Sequence, residues 1–375
     1  MKIVIDDKIP FIRGAFEPFA EVAYIPGGAV SSSDVRDADA VVTRTRTICN
    51  ESLLAGSSVK VIASATIGYD HIDTAWCESN GIEWTNAPGC NSGSVCQYIS
   101  SVLVCLARKY NLDLEGLTLG VVGVGNVGSK VAAAARALGM TVLLNDPPRA
   151  RREGPEAFVS LDELQSRADI ITLHVPLIRE GQDATGHLFD AERISRLRSD
   201  QILINSSRGP VVDNQALKSA LKAGSVRAAV LDVWEGEPNI DLELLGLLDL
   251  ATPHIAGYSA DGKAGGTTAS VRAVARRLGL PLDGWLPTSV PAPSNPLEFS
   301  IDATGRTPFQ VVSEAISYTY DVRRDSAALK GAPADFERLR GDYPIRREPH
   351  AFSLFLRGVD TRTCEALEAL GFCLR

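Results

Sequence analysis

At 375 residues the chain is long enough for two to three domains of ordinary size, about 100–200 residues each. Hydrophobic residues make up 45% and charged residues 22%, which excludes a disordered chain, a collagen-like repeat and a disulfide-stapled miniprotein. With 38 Lys+Arg against 46 Asp+Glu the net charge is −8, so the surface repels a phosphate backbone and nucleic acid is not expected as the main partner.

The N-terminus runs directly from Met1 into the strand-like Lys2–Ile5, without the apolar region of a signal peptide. No stretch of about 18 apolar residues follows, so a soluble cytoplasmic protein with no membrane association is expected. Further short apolar runs at Ala40–Thr43, Val59–Ala63 and Ile82–Thr85 are bounded by Gly, Asn, Asp or Pro and separated by helical lengths, a pattern that predicts βαβ units. A helix over about Ser94–Lys109 follows, with Val95, Tyr98, Ile99, Val102 and Leu106 at helical spacing. Strands are then predicted at Leu117–Val122, Val142–Asn145, Ile170–His174, Ile202–Asn205, Ala229–Asp232 and Leu250–Thr252, giving a second doubly wound α/β domain. Another amphipathic helix, Gly262–Gly279, places Thr267, Val271, Val274 and Leu278 on one face. Five prolines between Pro281 and Pro296 mark a linker or irregular arm. Beyond it come a strand at Glu298–Asp302, a helix carrying Phe309, Val312, Ile316 and Tyr320, and a last helix near Thr361–Leu370. This tail has no chemical motif, which points to assembly rather than catalysis.

The seven cysteines are odd in number and contain no C-x-x-C pair, so they read as reduced thiols, most of them buried. The five histidines offer no pair at zinc-ligand spacing, and no metal is expected.

Gly123-Val-Gly125-Asn126-Val127-Gly128 follows the predicted strand ending at Val122 and opens a helix with the apolar stripe Val127, Val131, Ala134 and Leu138. Gly123 permits a tight turn, Gly125 lets the backbone approach a pyrophosphate, and Gly128 allows close packing, while the helix N-terminus attracts the anion. Asp146 follows the next strand, where a carboxylate accepts hydrogen bonds from an adenosine ribose and repels a 2′-phosphate, favouring NAD. Arg149, Arg151 and Arg152 just downstream keep NADP as a minority alternative.

Three later strands end in residues suited to oxidising a 2-hydroxy acid: Arg208 in Asn205-Ser-Ser-Arg-Gly-Pro, Glu237 in Asp232-Val-Trp-Glu-Gly-Glu-Pro, and His254 in Thr252-Pro-His-Ile-Ala-Gly-Tyr. Arg208 can hold a carboxylate and polarise the C2 oxygen. His254 can take the hydroxyl proton, and Glu237 can orient the ring and stabilise the imidazolium.

Across residues 117–258 these motifs resemble the D-isomer-specific 2-hydroxy-acid dehydrogenases. Ala63–Asp73, Ala87-Pro-Gly-Cys-Asn91, His254–Ala264 and the extra C-terminal segment are similar to one branch of that family. The resemblance implies a Rossmann NAD domain (94–257) inserted in a flavodoxin-like substrate domain (1–93 and 258–285), both with parallel sheets, and a small C-terminal α+β dimerisation domain (286–375). It implies a homodimer that oxidises 4-phospho-D-erythronate to 2-oxo-3-hydroxy-4-phosphobutanoate with NAD, on a route to pyridoxine and pyridoxal phosphate. It further implies substrate contacts from Thr45, Thr66 and Tyr258. The implied NAD contacts are Asn126, Val127, Asp146, Val175, Ser206, Ser207, Arg208, Asp232 and Gly257. Thr45 stands where serine is common and keeps the hydroxyl; Gln97 stands where glutamate is usual.

A phosphorylated acid needs local positive charge that a net −8 does not supply, and Arg44 and Lys263, together with Tyr258, are expected at its phosphate end, with Arg46 left to solvent. A phosphoglycerate or other D-2-hydroxy-acid dehydrogenase is the alternative within the same reaction class. An NADH-sensing interaction scaffold is the alternative outside it.

Overall fold

The computed structural model describes residues 1–375. Strands β1 (Lys2–Asp6), β2 (Glu21–Ile25), β3 (Ala40–Thr43), β4 (Val61–Ser64) and β5 (Glu83–Thr85) form a parallel sheet in the order β2-β1-β3-β4-β5. The order reverses between β1 and β3, as in flavodoxin-like sheets. The central strands β3 and β4 are buried along their whole length, which is why they read as unbroken apolar runs rather than alternating ones. β2 is absent from the sequence reading; it is a half-buried edge strand whose Glu21-Val-Ala-Tyr-Ile25 gives no clean alternation.

This sheet belongs to a unit made of Met1–Asn91 and Ser259–Pro291. The returning helix Ala260–Leu278 buries Val271, Val274 and Ala275 among Ile3, Ile5, Val42 and Ala63. It begins two residues before the predicted start because the Ser259 hydroxyl accepts from the Gly262 amide at 2.7 Å, and it ends at Gly279 in the left-handed conformation.

Ser92–Tyr258 and Ala292–Arg375 form the other unit. Its main sheet contains β6 (Thr118–Val122), β7 (Thr141–Asn145), β8 (Ile170–Leu173), β9 (Ile202–Asn205), β10 (Ala228–Leu231) and β11 (Leu250–Ala251). All six are parallel, in the order β11-β10-β9-β8-β6-β7, so the topological switch lies between β6 and β8. Ligands bind at such a switch, outside the carboxyl ends of the strands.

The tail adds a third parallel sheet of β12 (Glu298–Asp302), β13 (Ser353–Arg357) and β14 (Cys373–Leu374). β13, β14 and the helices Val322–Gly331 and Phe336–Gly341 are not among the predicted elements; β13, β14 and Phe336–Gly341 are short, while Val322–Gly331 is a full amphipathic helix that the sequence reading passes over. Ile301, Val312, Ile316, Leu354 and Leu367 lie in one apolar cluster with Leu103, Val121 and Val131, so the tail shares its core with the larger sheet. Gln97 explains part of this junction. Its Nε2 donates to the carbonyl of Arg347 at 3.0 Å, which a glutamate could not do.

All seven cysteines are free, but the expectation that most are buried fails: only Cys49 and Cys77 are, and Cys96 and Cys105 sit at the margins of the packed face of their helix. No helix is long and apolar enough to cross a membrane.

Candidate active site

Each glycine of the Gly123–Gly128 turn has a distinct physical reason. Gly123 has φ +84°, and a Cβ there would lie 2.7 Å from the His174 carbonyl oxygen. A Cβ on Gly128 would lie 1.9 Å from the carbonyl oxygen of Gly123, so the first turn of the helix Asn126–Ala137 closes tightly on the loop. Gly125 faces open space, and no side chain caps this helix. An uncapped helix N-terminus beside an open glycine suits a pyrophosphate.

Asp146 follows β7 and caps the next helix, its carboxylate accepting from the amides of Val124 (2.8 Å) and Arg149 (2.9 Å). The three arginines that could favour a 2′-phosphate are engaged elsewhere. Arg149 makes a forked pair with Glu153 and donates to the Val124 carbonyl, Arg152 pairs with Glu153, and Arg151 pairs with Asp183. The Oγ of Ser206 is buried without a hydrogen-bond partner, an unmet demand that a bound cofactor can satisfy. These features fit NAD better than NADP. Val175, just past β8, and Gly257, in the loop after β11, are half-buried, and Ser207 is buried with its hydroxyl on Asn205.

Arg208 leaves the end of β9 on a loop organised by Asn205, which was not picked out in the sequence. The Asn205 side chain accepts from the Ser207 amide and hydroxyl and donates to the Arg208 carbonyl at 2.9 Å. The Arg208 guanidinium donates to the Ser207 carbonyl at 2.8 Å and pairs with no carboxylate, leaving its charge available to an anionic ligand. Gly209 follows because a Cβ there would fall 1.9 Å from the carbonyl oxygen of Trp234.

Glu237 and His254 meet as expected: Nδ1 of His254 lies 2.8 Å from Oε2 of Glu237, while Oε1 accepts from the Trp234 amide at 2.8 Å. Burial pushes the Glu237 carboxyl up, but the His254 and Trp234 hydrogen bonds and the nearby positive charges outweigh it, holding the group below the usual carboxylate range. With Nδ1 committed to Glu237, Nε2 of His254 is the nitrogen left to exchange a proton.

His254 has φ +56°, a left-handed conformation that costs a non-glycine residue about 1–3 kcal/mol and persists only where neighbours enforce it. Asp232 does so. It is 1% exposed, its carbonyl accepts from the His254 amide at 2.7 Å, and its carboxylate accepts from the Ile255 and Ala256 amides and the Thr252 hydroxyl. Thr252 is itself 2.8 Å from the Tyr98 hydroxyl. Sequence spacing marked Asp232 but not Thr252 or Tyr98, because they act through folding, 20 and 134 positions away from it. Of the other histidines, His71 is buried with Nε2 3.4 Å from Ser64 Oγ, and His174 is neutral because burial lowers its affinity for a proton.

In the first unit the carboxyl ends of β3 and β4 bring Arg44, Thr45 and Thr66 together. Thr66 Oγ1 lies 3.2 Å from the Arg44 carbonyl, Arg44 donates to the Lys8 carbonyl at 3.2 Å, and Thr45 is exposed. Lys263 lies one turn before Gly266, whose missing Cβ would be 2.3 Å from the carbonyl oxygen of Ala65, so it belongs to the same end of that sheet. Tyr258 falls in the second unit.

An NAD-dependent dehydrogenase is the class of protein that this fold and constellation define. Residues 106–256 match the family model described as D-isomer specific 2-hydroxyacid dehydrogenase, NAD binding domain. The chain belongs to the D-isomer-specific 2-hydroxyacid dehydrogenase family. It is similar to erythronate-4-phosphate dehydrogenase of Bacteroides fragilis, 50% identical over 95% of this chain and 99% of that protein. It is also similar to the enzyme of the same name from Proteus mirabilis, 43% identical over 99% of each chain. Among solved structures, D-lactate dehydrogenase from Aquifex aeolicus, complexed with NAD and lactic acid, matches with a TM-score of 0.60 and 29% identity over 74% of this chain and 96% of that one.

Proposed function

We propose that this chain oxidises 4-phospho-D-erythronate at C2 to 2-oxo-3-hydroxy-4-phosphobutanoate, using NAD, as a step toward pyridoxine and pyridoxal phosphate. The observation that carries the reading is near-full-length similarity to proteins of that name, joined to a paired Glu237–His254 and an unpaired Arg208. Bound NAD supplies the hydride acceptor. Arg208 holds the substrate carboxylate and polarises the C2 oxygen through its planar donors. His254 receives the C2 hydroxyl proton on Nε2 while Glu237 fixes the ring through Nδ1 and balances the charge that develops on it. Asn126, Val127, Asp146, Val175, Ser206, Ser207, Asp232 and Gly257 frame the cofactor. Thr45, Thr66 and Tyr258 contact substrate, with Arg44 and Lys263 supplying charge.

In this reading residues 1–93 and 258–285 bind substrate, 94–257 bind NAD, and 286–375 dimerise the protein in the cytoplasm. NADH production with 4-phosphoerythronate beside 3-phosphoglycerate tests cofactor, reaction and substrate together. Turnover of 3-phosphoglycerate alone would overturn the substrate. Tight NADH binding with no hydroxy acid oxidised would leave a sensor. His254→Ala is expected to abolish hydride transfer while NAD still binds, and a mass measurement in solution that finds a monomer would overturn the dimer.

A further inference from the structure

We propose that Arg340, in the C-terminal helix Phe336–Gly341, binds the terminal phosphate of the substrate, so that the tail completes the site as well as serving assembly; this rests on the phosphorylated substrate proposed above. The helix brings the guanidinium to the loop that follows His254. Nη2 of Arg340 lies 3.4 Å from the Tyr258 hydroxyl, and its central carbon lies 5.9 Å from the Tyr258 ring centre and 6.0 Å from that of Phe336. Its Nε is buried and has no hydrogen-bond partner. The remaining nitrogen, Nη1, meets Glu337 at 3.1 Å in a pair one helical turn long, with the Glu337 side chain 56% exposed. Such an exposed pair is weak. The Nε–Nη2 edge, with one donor unmet and one held by a long contact, can take two oxygens of a phosphate in the forked geometry that guanidinium groups favour.

Arg346 reaches the same loop and serves as the contrast. It is 5% exposed, its Nη2 donates to the Ala256 carbonyl at 2.6 Å, and its guanidinium lies over the rings of Tyr320 (4.4 Å) and Tyr343 (5.8 Å). Asp325, which accepts from both tyrosine hydroxyls, adds to the charge around it. Arg346 also has unmet donors, Nε and Nη1, but it is enclosed and anchors the loop, whereas Arg340, its side chain 24% exposed, holds its unmet Nε beside Tyr258 where a ligand can reach it. The field of Arg340 also reaches Glu237, so the guanidinium stands near the proton-transfer pair. A dianionic phosphate needs charge additional to Arg208, which takes the carboxylate, and Arg340 supplies it from within the same unit.

The test uses the full-length protein with Arg340→Gln and Arg340→Lys. A hydrogen-bonded charge pair is worth enough to lower kcat/KM for 4-phosphoerythronate roughly 10- to 150-fold in the glutamine variant, mostly through KM, with partial recovery in the lysine variant. Activity on unphosphorylated erythronate and NAD affinity should stay unchanged. Equal losses on both substrates would overturn the proposal and assign Arg340 to Glu237 instead. No loss on either would also overturn it. Wild-type inactivity on 4-phosphoerythronate would sink the functional reading rather than this one. In that case inorganic phosphate, as a competitive inhibitor of whichever hydroxy acid is oxidised, should bind more weakly to Arg340→Gln, and equal inhibition of both proteins would overturn the assignment.

Discussion

Changing Asp232 to asparagine alters one atom in the loop that presents His254. The native carboxylate accepts from Thr252 Oγ1 (2.7 Å) and the Ile255 amide (2.8 Å) on one oxygen and from the Ala256 amide (3.0 Å) on the other. In the least costly orientation the new amide nitrogen takes the second position and faces the Ala256 N–H. That removes one hydrogen bond and leaves a buried donor unmet, a cost of about 1–3 kcal/mol. The two surviving bonds lose their charge assistance and weaken by about half, adding roughly 1 kcal/mol. A total of about 2–4 kcal/mol on a unit of this size corresponds to a fall in Tm of about 4–16 °C. The same change relaxes the restraint that keeps His254 left-handed, so kcat should fall along with stability. Thermal denaturation beside steady-state kinetics reads both quantities. A variant with Tm within about 1 °C of wild type and unchanged kcat would refute the view that Asp232 holds the catalytic loop.

Gly209→Ala should cripple the enzyme, because its Cβ would sit 1.9 Å from the backbone oxygen of Trp234 and must displace either Arg208 or the Glu237 loop; wild-type kcat/KM in this variant would contradict the packing. Glu237 is ionised well into acid because its hydrogen bonds hold the carboxyl below the usual range, so its contribution to stability is complete above about pH 4.3 and is lost as the pH falls through its lower folded value. Glu237→Gln should remove that part of the acid-side decline in Tm and reduce kcat about 10²–10⁴-fold with NAD affinity intact. An acid-side stability curve identical to wild type would show that the pair does not titrate as described.

The strand ends, the glycine turn and the three side chains proposed to react were legible in the sequence because each depends on local rules. Buried parallel strands must be apolar on both faces, a pyrophosphate turn must contain glycine, and ligand residues collect where such strands end. Residues 123–128, Arg208, Glu237 and His254 are therefore visible as spacings. The edge strand β2 and the short elements of the tail were not, since a half-buried strand of five residues or a helix of six carries too little periodicity to stand above its surroundings. What only tertiary structure decided was the support behind these candidate groups. Asp232 clamps the loop that holds His254 in the left-handed conformation, Tyr98 meets Thr252 from a helix 154 positions earlier, and Gln97 secures Arg347 from 250 positions away. The bare length of the chain required a home for its last 80 or so residues, and a motif-free segment reads as an assembly module. The folded chain merges that segment into the core of the larger unit and brings Arg340 to Tyr258. Hydrogen bonds and packing between distant residues leave no periodic trace along the chain, and so these partnerships exist only in three dimensions.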